Sequence, residues 1–267
     1  MPRSSGSVKT APAPQEITIK TMDFAFELPA KVRPGLTTIH LLNGGTELHH
    51  VWLLKLGQGK TLADLLAALK PETPFPAWAT SIGGPNAPGP GGEFSATLEL
   101  TPGRYAVICV IPSADGKPHV MKGMSKSFEV AGRPVAAVSA PADIQVNLKD
   151  YAFGLSKPLT AGRHVLRFTN SAGQVHEAFI ARLAPGKRAT DLLAWIEKPQ
   201  GPPPGQPLGG ITGINPGQSI SITEDFEPGT YAFFCFVPDA KDGQPHLAHG
   251  MMQEYEISPV VLSSRSK

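Results

Sequence analysis

The sequence predicts an all-β fold in which two small sandwich domains follow one another, each with one short helix inserted. Three observations lead to this prediction. Short runs of alternating apolar and polar residues recur between turn residues, which is typical of β-strands with one buried face. Glycine and proline each number 28 among 267 residues, so long helices cannot dominate the structure. The second half of the chain also repeats the order of the first half, which indicates a duplicated domain.

The repeat combines residue type, order and spacing. Asn43 precedes His49 by six residues, and Asn170 precedes His176 by the same number. Equivalent positions are separated by 127 residues at these histidines, by 126 at the cysteines and by 127 at the following methionines. The other repeated segments include Asp23–Phe26 with Asp150–Phe153, Pro102–Ala106 with Pro228–Ala232, and Gly83-Gly84 with Gly209-Gly210.

The duplication divides the chain into two domains. We expect the first over 17–131 and the second over 143–258. The Pro- and Ala-rich stretch 132–142 between them is typical of a short linker, and the flanking segments 1–16 and 259–267 are expected to be loose tails. Each domain is long enough to bury its own core without disulfide bonds.

A helix interrupts the strand pattern within each copy. Thr61–Asp64 has the form of a capping box, with Asp in place of Glu, and apolar side chains then recur on one helix face. The Pro-rich stretches 71–92 and 198–217 are predicted to be long surface loops. The strands expected in the first copy cover Glu16–Lys20, Thr37–Leu42, Ser95–Leu100, Tyr105–Cys109 and Ser127–Val130, and the helix face holds Leu62, Leu65, Leu66 and Leu69.

Charge and hydropathy argue against two classes of partner. Lys and Arg number 24 against 22 Asp and Glu, a net charge of +2, and no basic stripe is present that could follow a phosphate backbone. We therefore expect no nucleic-acid partner. No apolar stretch approaches the roughly 18 residues of a membrane span, and the first residues lack the apolar core of a signal peptide.

Each copy contains one Cys, two His and one Met in the same order. A thiolate, two imidazoles and a thioether form a soft donor set that suits copper cycling between Cu(I) and Cu(II), with a trigonal plane of two His and one Cys and a long axial Met. His49 is preferred over His50 because Glu177 stands at the position equivalent to His50. The predicted metal ligands are His49, Cys109, His119 and Met124 in the first copy and His176, Cys235, His246 and Met251 in the second.

Two plainer interpretations of the cysteines stay open at this stage. The chain has two Cys, so a single disulfide is one of them, although both residues are expected at equivalent strand ends of separate domains. Buried, inert thiols in domains that have lost a metal are the other. The joint presence of Cys, His, His and Met in both copies favours a metal site. It also predicts that both cysteines are free thiols before metal binds.

In order and type these motifs resemble the cupredoxins, the blue copper proteins of the plastocyanin and azurin family. The similarity covers nearly all of each copy and includes Pro-Gly-x-Tyr leading a strand into the Cys, then Pro-His and Gly-Met. The resemblance implies tandem Greek-key sandwiches, each with one type 1-like copper bound by the residues named above. It also implies an electron carrier with a redox partner protein, in the periplasm or outside the cell.

One departure from the family pattern concerns the Cys and the second His. Nine residues separate them in the first copy and ten in the second, whereas the family usually has a much shorter segment. These segments, Val110–Pro118 and Phe236–Pro245, contain Pro and Asp-Gly turn chemistry. We expect them to form ordered flaps beside the sites that affect the choice of partner and not the retention of metal.

Other functions built on similar domains are copper oxidases, nitrite reductases, and proteins that sequester or deliver copper. The two enzyme classes are similar in having a His next to the Cys. This chain lacks that feature, which disfavours catalysis without settling it. The residues that flank Cys109 are Ile108 and Val110, and those that flank Cys235 are Phe234 and Phe236.

The neighbours of the predicted ligands are expected to have structural roles. His50 and His249 are expected at the rims of the sites, and Met121 and Met252 in packing. The repeated aromatic residues expected in the cores are Phe24, Phe26, Tyr105, Tyr151, Phe153 and Tyr231.

Overall fold

The computed structural model describes residues 12–70, 73–198 and 200–259. The predicted tails, 1–16 and 259–267, lie mostly outside this range. The described chain contains seventeen strands, two short α-helices and two single-turn 3₁₀ helices. The prediction of an all-β fold with one short helix in each half is therefore confirmed.

The elements follow the same order in both halves, except that the short strand β3 (Lys31–Val32) of the first half has no counterpart in the second. The first half contains β1 (Gln15–Met22), β2 (Ala25–Glu27), β3 (Lys31–Val32), β4 (Gly35–Asn43), β5 (Trp52–Leu56), α1 (Leu62–Ala68), β6 (Ala79–Gly83), β7 (Glu93–Leu100), β8 (Gly103–Ile108), a 3₁₀ turn (His119–Lys122) and β9 (Ser125–Val130). The second half contains β10 (Ile144–Lys149), β11 (Ala152–Leu155), β12 (Gly162–Asn170), β13 (His176–Leu183), α2 (Ala189–Glu197), β14 (Gly205–Ile214), β15 (Ser219–Phe226), β16 (Gly229–Phe234), a 3₁₀ turn (His246–His249) and β17 (Met252–Ile257).

Each half folds into a sandwich of two sheets, and one sheet continues from one half into the other. The continuous sheet has eight strands in the order β11-β10-β12-β15-β7-β4-β1-β2. Its halves meet where β15 pairs antiparallel with β7, with Ser221 opposite Thr97 and Ile222 opposite Ala96. The facing sheets are β3-β9-β8-β5-β6 in the first half and β14-β13-β16-β17 in the second. Backbone pairing therefore joins the two copies in addition to side-chain packing.

A buried tyrosine fixes the start of the strand that leads to each Cys. The hydroxyl of Tyr105 donates to the carbonyl of Thr101 at 2.8 Å, and that of Tyr231 donates to the carbonyl of Glu227 at 3.0 Å. Such a corner ties the side chain to the turn just before its own strand. The repeated Pro-Gly-x-Tyr motif thus sets where β8 and β16 begin, and with them the positions of the two cysteines.

The inserted helix α1 begins as predicted and presents a narrower apolar face. Asp64 N donates to Thr61 Oγ1 at 3.2 Å, and Thr61 N donates to Asp64 Oδ2 at 2.9 Å. Leu65 is fully buried, but Leu66 is 37% exposed, because the short helix touches the sandwich with little more than one turn. No helix in the described ranges is long and apolar enough to cross a membrane.

The two Pro-rich stretches are not surface loops, so that prediction is wrong. They contain the strands β6 and β14, and residues 81–88 and 209–214 are buried where the two halves meet. A Cβ on Gly209 would lie 2.3 Å from the ring of Phe94 in the other half, and one on Gly83 would lie 2.4 Å from Ile220 Cδ1. Proline excludes helix but is tolerated at sheet edges, and β6 and β14 are edge strands. The repeated glycines allow these edges to approach the neighbouring domain.

Candidate metal centres

Three side chains of the first domain converge from distant parts of the sequence. His49 lies in the loop before β5, Cys109 follows β8, and His119 opens the 3₁₀ turn. The two histidine Nδ1 atoms are 3.0 Å apart, and Cys109 Sγ lies 3.5 Å from His119 Nδ1. All three residues are fully buried. One donor atom of each lies within 4.8 Å of the other two, so a single cation can contact all three.

The second domain repeats this group. His176 begins β13, Cys235 follows β16, and His246 opens the second 3₁₀ turn. Cys235 Sγ lies 3.8 Å from His176 Nδ1 and 3.4 Å from His246 Nδ1. These residues are also fully buried, with donor atoms within 4.8 Å of one another. The structure therefore brings together the predicted Cys and both predicted His in each half.

The two predicted axial ligands pair with the cysteines through the backbone. Cys109 N donates to the carbonyl of Met124 at 3.3 Å, and Cys235 N donates to that of Met251 at 3.1 Å. Both methionine side chains are fully buried. Backbone pairing places these residues beside the sites, and an axial sulfur–metal contact stays a prediction.

The outward-facing ring nitrogens define which atoms of the first group can bind a metal. His49 Nε2 lies 2.9 Å from Asp23 Oδ1, and His119 Nε2 lies 3.0 Å from Glu47 Oε2. The hydrogen bond with His49 holds the pKa of Asp23 well below its usual range, so that carboxylate is ionised. An ionised carboxylate only accepts hydrogen bonds, so His49 Nε2 carries the hydrogen and His49 Nδ1 presents a lone pair. The Nδ1 atoms of the two histidines face one another beside the cysteine sulfur, and a site with imidazole and sulfur donors suits copper.

The long segment between Cys109 and His119 is a closed hairpin. His119 N donates to the carbonyl of Ile111 at 2.9 Å, and Pro112 pairs with Pro118 at the neck. The extra residues therefore form a hairpin whose two ends lie side by side, and this places the second His next to the Cys. The second domain has equivalent prolines at its neck. The prediction of an ordered segment is confirmed, whereas its effect on partner choice stays a prediction.

Replacing Ser113–Lys117 by Gly-Gly is expected to leave copper binding by the first domain intact. The replaced residues lie beyond the neck, and a two-residue turn can close such a hairpin. The copper content should stay constant, while the rate of electron transfer to a partner protein should change. Asp115→Ala at full length is the control, because it removes the ion pair with Lys122 at 3.0 Å without shortening the hairpin. Loss of copper would show that the hairpin itself positions His119.

His50 is not a rim residue, so that prediction is wrong. It is 3% exposed, and its Nε2 accepts a hydrogen bond from Val110 N at 3.1 Å. Glu177, at the equivalent position, is also buried and accepts from Phe236 N at 2.9 Å. Burial lowers the pKa of His50 to about 3 and raises that of Glu177 to about 7. Asn86 Nδ2 of the first domain donates to Glu177 Oε2 at 3.3 Å, so this polar contact bridges the domains beside both sites.

The sequence predicts Phe24 and Tyr151 in the core, but they are only partly buried and pack against its edge. Each has a left-handed φ of 66° in a turn, and each is half-buried. Their rings meet the second His edge-on, with centroids 5.3 Å apart for Phe24 and His119 and 5.6 Å apart for Tyr151 and His246. The structure therefore covers each second His with an aromatic ring. The other four predicted aromatics are buried in the cores.

The other residues next to the predicted ligands differ in how far they are exposed. His249 is partly exposed and lies 3.2 Å from Asp242 Oδ2, which agrees with a rim position. Met252 packs against the core of the second domain. Met121 is 69% exposed, so its predicted packing role is wrong, because the 3₁₀ turn presents this side chain to solvent.

Both cysteines of the chain lie within the described residues, and both are free and buried. The structure thus excludes the disulfide and confirms the prediction of free thiols. Burial raises the pKa of Cys109 to about 12 and raises that of Cys235 further. A metal must displace the thiol proton to bind the sulfur, so loading each site would release a proton.

No protein-family model matches this chain, and no curated protein matches it. Among solved structures it is similar to the dithionite-reduced auracyanin of Roseiflexus castenholzii, with 23% identity over 45% of this chain and 100% of the auracyanin, at a TM-score of 0.31. Auracyanin B is 21% identical over 46% of this chain and 94% of its own, at a TM-score of 0.31. A multicopper oxidase is 15% identical over 92% of this chain and 88% of its own, at a TM-score of 0.25. At such TM-scores these similarities carry no argument about the sites, which are assigned from the distances between their side chains.

Proposed function

We propose that this protein is a copper-binding electron carrier with one mononuclear, type 1-like copper site in each domain. The observation that supports this most directly is the repeated convergence of imidazole Nδ1 atoms on a buried cysteine sulfur. When bound, copper supplies a one-electron couple between Cu(I) and Cu(II). The residues that would hold it are His49, Cys109, His119 and Met124 in one domain and His176, Cys235, His246 and Met251 in the other.

The contribution of the chain is to keep the donors in place. His119 is held by its backbone bond to Ile111 at 2.9 Å, and Val120 N donates to the carbonyl of Cys109 at 2.7 Å. Carboxylates on Nε2 of His49, His119 and His176 fix the orientation of these three rings. Electron transfer is fastest when ligands move little between oxidation states, so this framework favours a carrier.

Catalysis on a bound substrate is the less supported alternative. The His and Cys residues of both groups are fully buried, so a substrate cannot reach a metal held there without opening the domain. Electrons need no such contact. In addition, no His flanks either Cys, so neither has the neighbour through which the enzymes of similar fold couple two coppers.

A copper storage or delivery protein can use the same donors as an electron carrier, but it must exchange its copper faster. Buried ligands held from several elements favour slow exchange, which is what a carrier needs. We further propose a redox partner protein and a location in the periplasm or outside the cell. Both proposals follow from the sequence resemblance and from copper chemistry that suits an oxidising compartment.

Loading the reduced, metal-free protein with Cu(II) is expected to give about two copper ions per chain. Visible absorption from the copper–thiolate bonds should appear with the metal and bleach reversibly on reduction. Protein alkylated at both cysteines under denaturing conditions and then refolded is the control and should bind little copper. A copper content near zero in folded, reduced protein would overturn the copper proposal. Rapid loss of copper to a chelator, without reversible reduction, would favour delivery.

A further inference from the structure

The two domains place a carboxylate near the second His from different parts of the chain. In the first domain, His119 Nε2 lies 3.0 Å from Glu47 Oε2. Gln174 stands at the position equivalent to Glu47 and carries no charge. In the second domain the nearby carboxylate is that of Asp239, whose Oδ2 lies 3.8 Å from His246 Nε2. The charge is therefore retained while its position in the sequence changes.

Three positions change together between the copies. Phe24, Glu47 and Ser113 in the first domain correspond to Tyr151, Gln174 and Asp239 in the second. Asp239 Oδ2 accepts a hydrogen bond from Tyr151 Oη at 2.6 Å and another from Gln174 Nε2 at 2.8 Å. Without the Tyr hydroxyl and the Gln amide, Asp239 would lose both side-chain donors. The three replacements thus form one unit that holds a carboxylate beside His246.

The first His of each site shows no such exchange. His49 Nε2 lies 2.9 Å from Asp23 Oδ1, and His176 Nε2 lies 3.0 Å from Asp150 Oδ1, from equivalent positions. The side chain of Asp239 is only 1% exposed, and a buried carboxylate is costly unless it is compensated. Its placement at the second His is therefore better explained by an effect on the site than by surface charge.

Glu47 is within hydrogen-bond distance of His119 Nε2, whereas Asp239 lies too far from His246 Nε2 for a hydrogen bond, and no described residue hydrogen-bonds to that nitrogen. We propose that Glu47 and Asp239 are positioning residues with one task, which is to strengthen electron donation from Nδ1 of the second His, Glu47 through a hydrogen bond that also orients the ring and Asp239 through its nearby charge. This inference rests on the proposed copper function. Carboxylates behind ligating histidines fix the ring and raise its basicity, and their removal typically lowers metal affinity about 10–100-fold. Cu(II) carries more charge than Cu(I), so the loss falls mainly on Cu(II). Each carboxylate therefore stabilises the oxidised state of its own site.

The test uses the full chain with Cys235→Ser, which leaves the first site alone. Adding Glu47→Gln is expected to weaken Cu(II) binding about tenfold while Cu(I) binding changes little, which raises the reduction potential by about 59 mV. In the metal-free protein, the ¹⁵N signal of His119 Nε2 should move as its anionic acceptor is lost. Glu129→Gln is the matched control, because it removes an exposed charge of the same domain and should move neither quantity.

A rescue experiment tests whether Glu47 and Asp239 have the same role or whether Glu47→Gln only perturbs the first site locally. Adding Phe24→Tyr and Ser113→Asp to Glu47→Gln should return the potential towards that of the parent. In the second site, studied alone with Cys109→Ser, Asp239→Asn should raise the potential, and this variant decides the matter if the triple variant does not fold. An unchanged potential in copper-loaded Glu47→Gln or Asp239→Asn, or a folded triple variant without rescue, would overturn the inference. Failure of the Cys235→Ser parent to bind copper would instead count against the copper proposal.

Discussion

A chain in which Cys109 is replaced by serine is expected to bind about one copper ion in place of about two. The sulfur lies 3.5 Å from His119 Nδ1 and is the only charged donor that the first site offers once its proton leaves. A serine hydroxyl is a harder donor that does not deprotonate readily, so the site loses its soft anionic ligand. Visible absorption from copper–thiolate bonds should fall by about half, with the remainder coming from the second site.

Cys235→Ser is the matched control, because both cysteines are fully buried between equivalent histidines. Each single variant should lose its own site, and the double variant should lose the visible absorption altogether. Circular dichroism of each variant verifies that the sandwich is retained. A folded single variant that keeps both copper ions, or that loses both, would contradict two independent sites.

The donors could be predicted from the sequence because duplication preserves their order. Cys109 and Cys235 each follow a strand that has a buried Tyr as its third residue, so the strand register places them at equivalent positions. The second His was harder to place, since a long Cys-to-His segment can lead in any direction. The pairing of Pro112 with Pro118 depends on contacts across the hairpin, which spacing does not encode.

The groups behind the second His of each site could not be predicted by aligning the copies. Glu47 aligns with Gln174 and Asp239 with Ser113, so the alignment pairs each carboxylate with a neutral side chain. Their common place beside the second His appears only in three dimensions. His50 and Glu177 are a second example. One is a base and the other an acid, so the alignment does not show that both accept a hydrogen bond from the backbone amide that follows the Cys.

The contact between the domains is hard to predict from the sequence for a different reason. Proline in 71–92 and 198–217 is typical of surface loops, but edge strands also tolerate it. The available signal was the repeated Gly83-Gly84 and Gly209-Gly210, since paired glycines at equivalent positions often mark close backbone approach. If these glycine pairs are taken to mark close backbone approach, the sequence predicts an interface between the domains along β6 and β14.

Gly209→Ala is accordingly expected to destabilise the whole protein. Gly209 has a φ of 143°, and an added Cβ would lie 2.3 Å from Cγ of Phe94, a ring of the other domain that is 7% exposed. The left-handed backbone costs a residue with a Cβ about 1–3 kcal/mol, and overpacking of the buried contact costs about 1–3 kcal/mol more. Denaturant titration of the metal-free protein measures the loss in the free energy of unfolding.

Gly229→Ala separates the two contributions, because Gly229 has a similar φ of 149° and its Cβ would meet only the flexible Arg182 side chain, at 3.3 Å. We expect Gly229→Ala to show the backbone cost alone and Gly209→Ala to show both. In a Phe94→Ala background, where the ring is gone, Gly209→Ala should cost no more than Gly229→Ala. Equal losses for the two glycine variants in the parent chain would mean that Gly209 and Phe94 are not in tight contact across the domain interface.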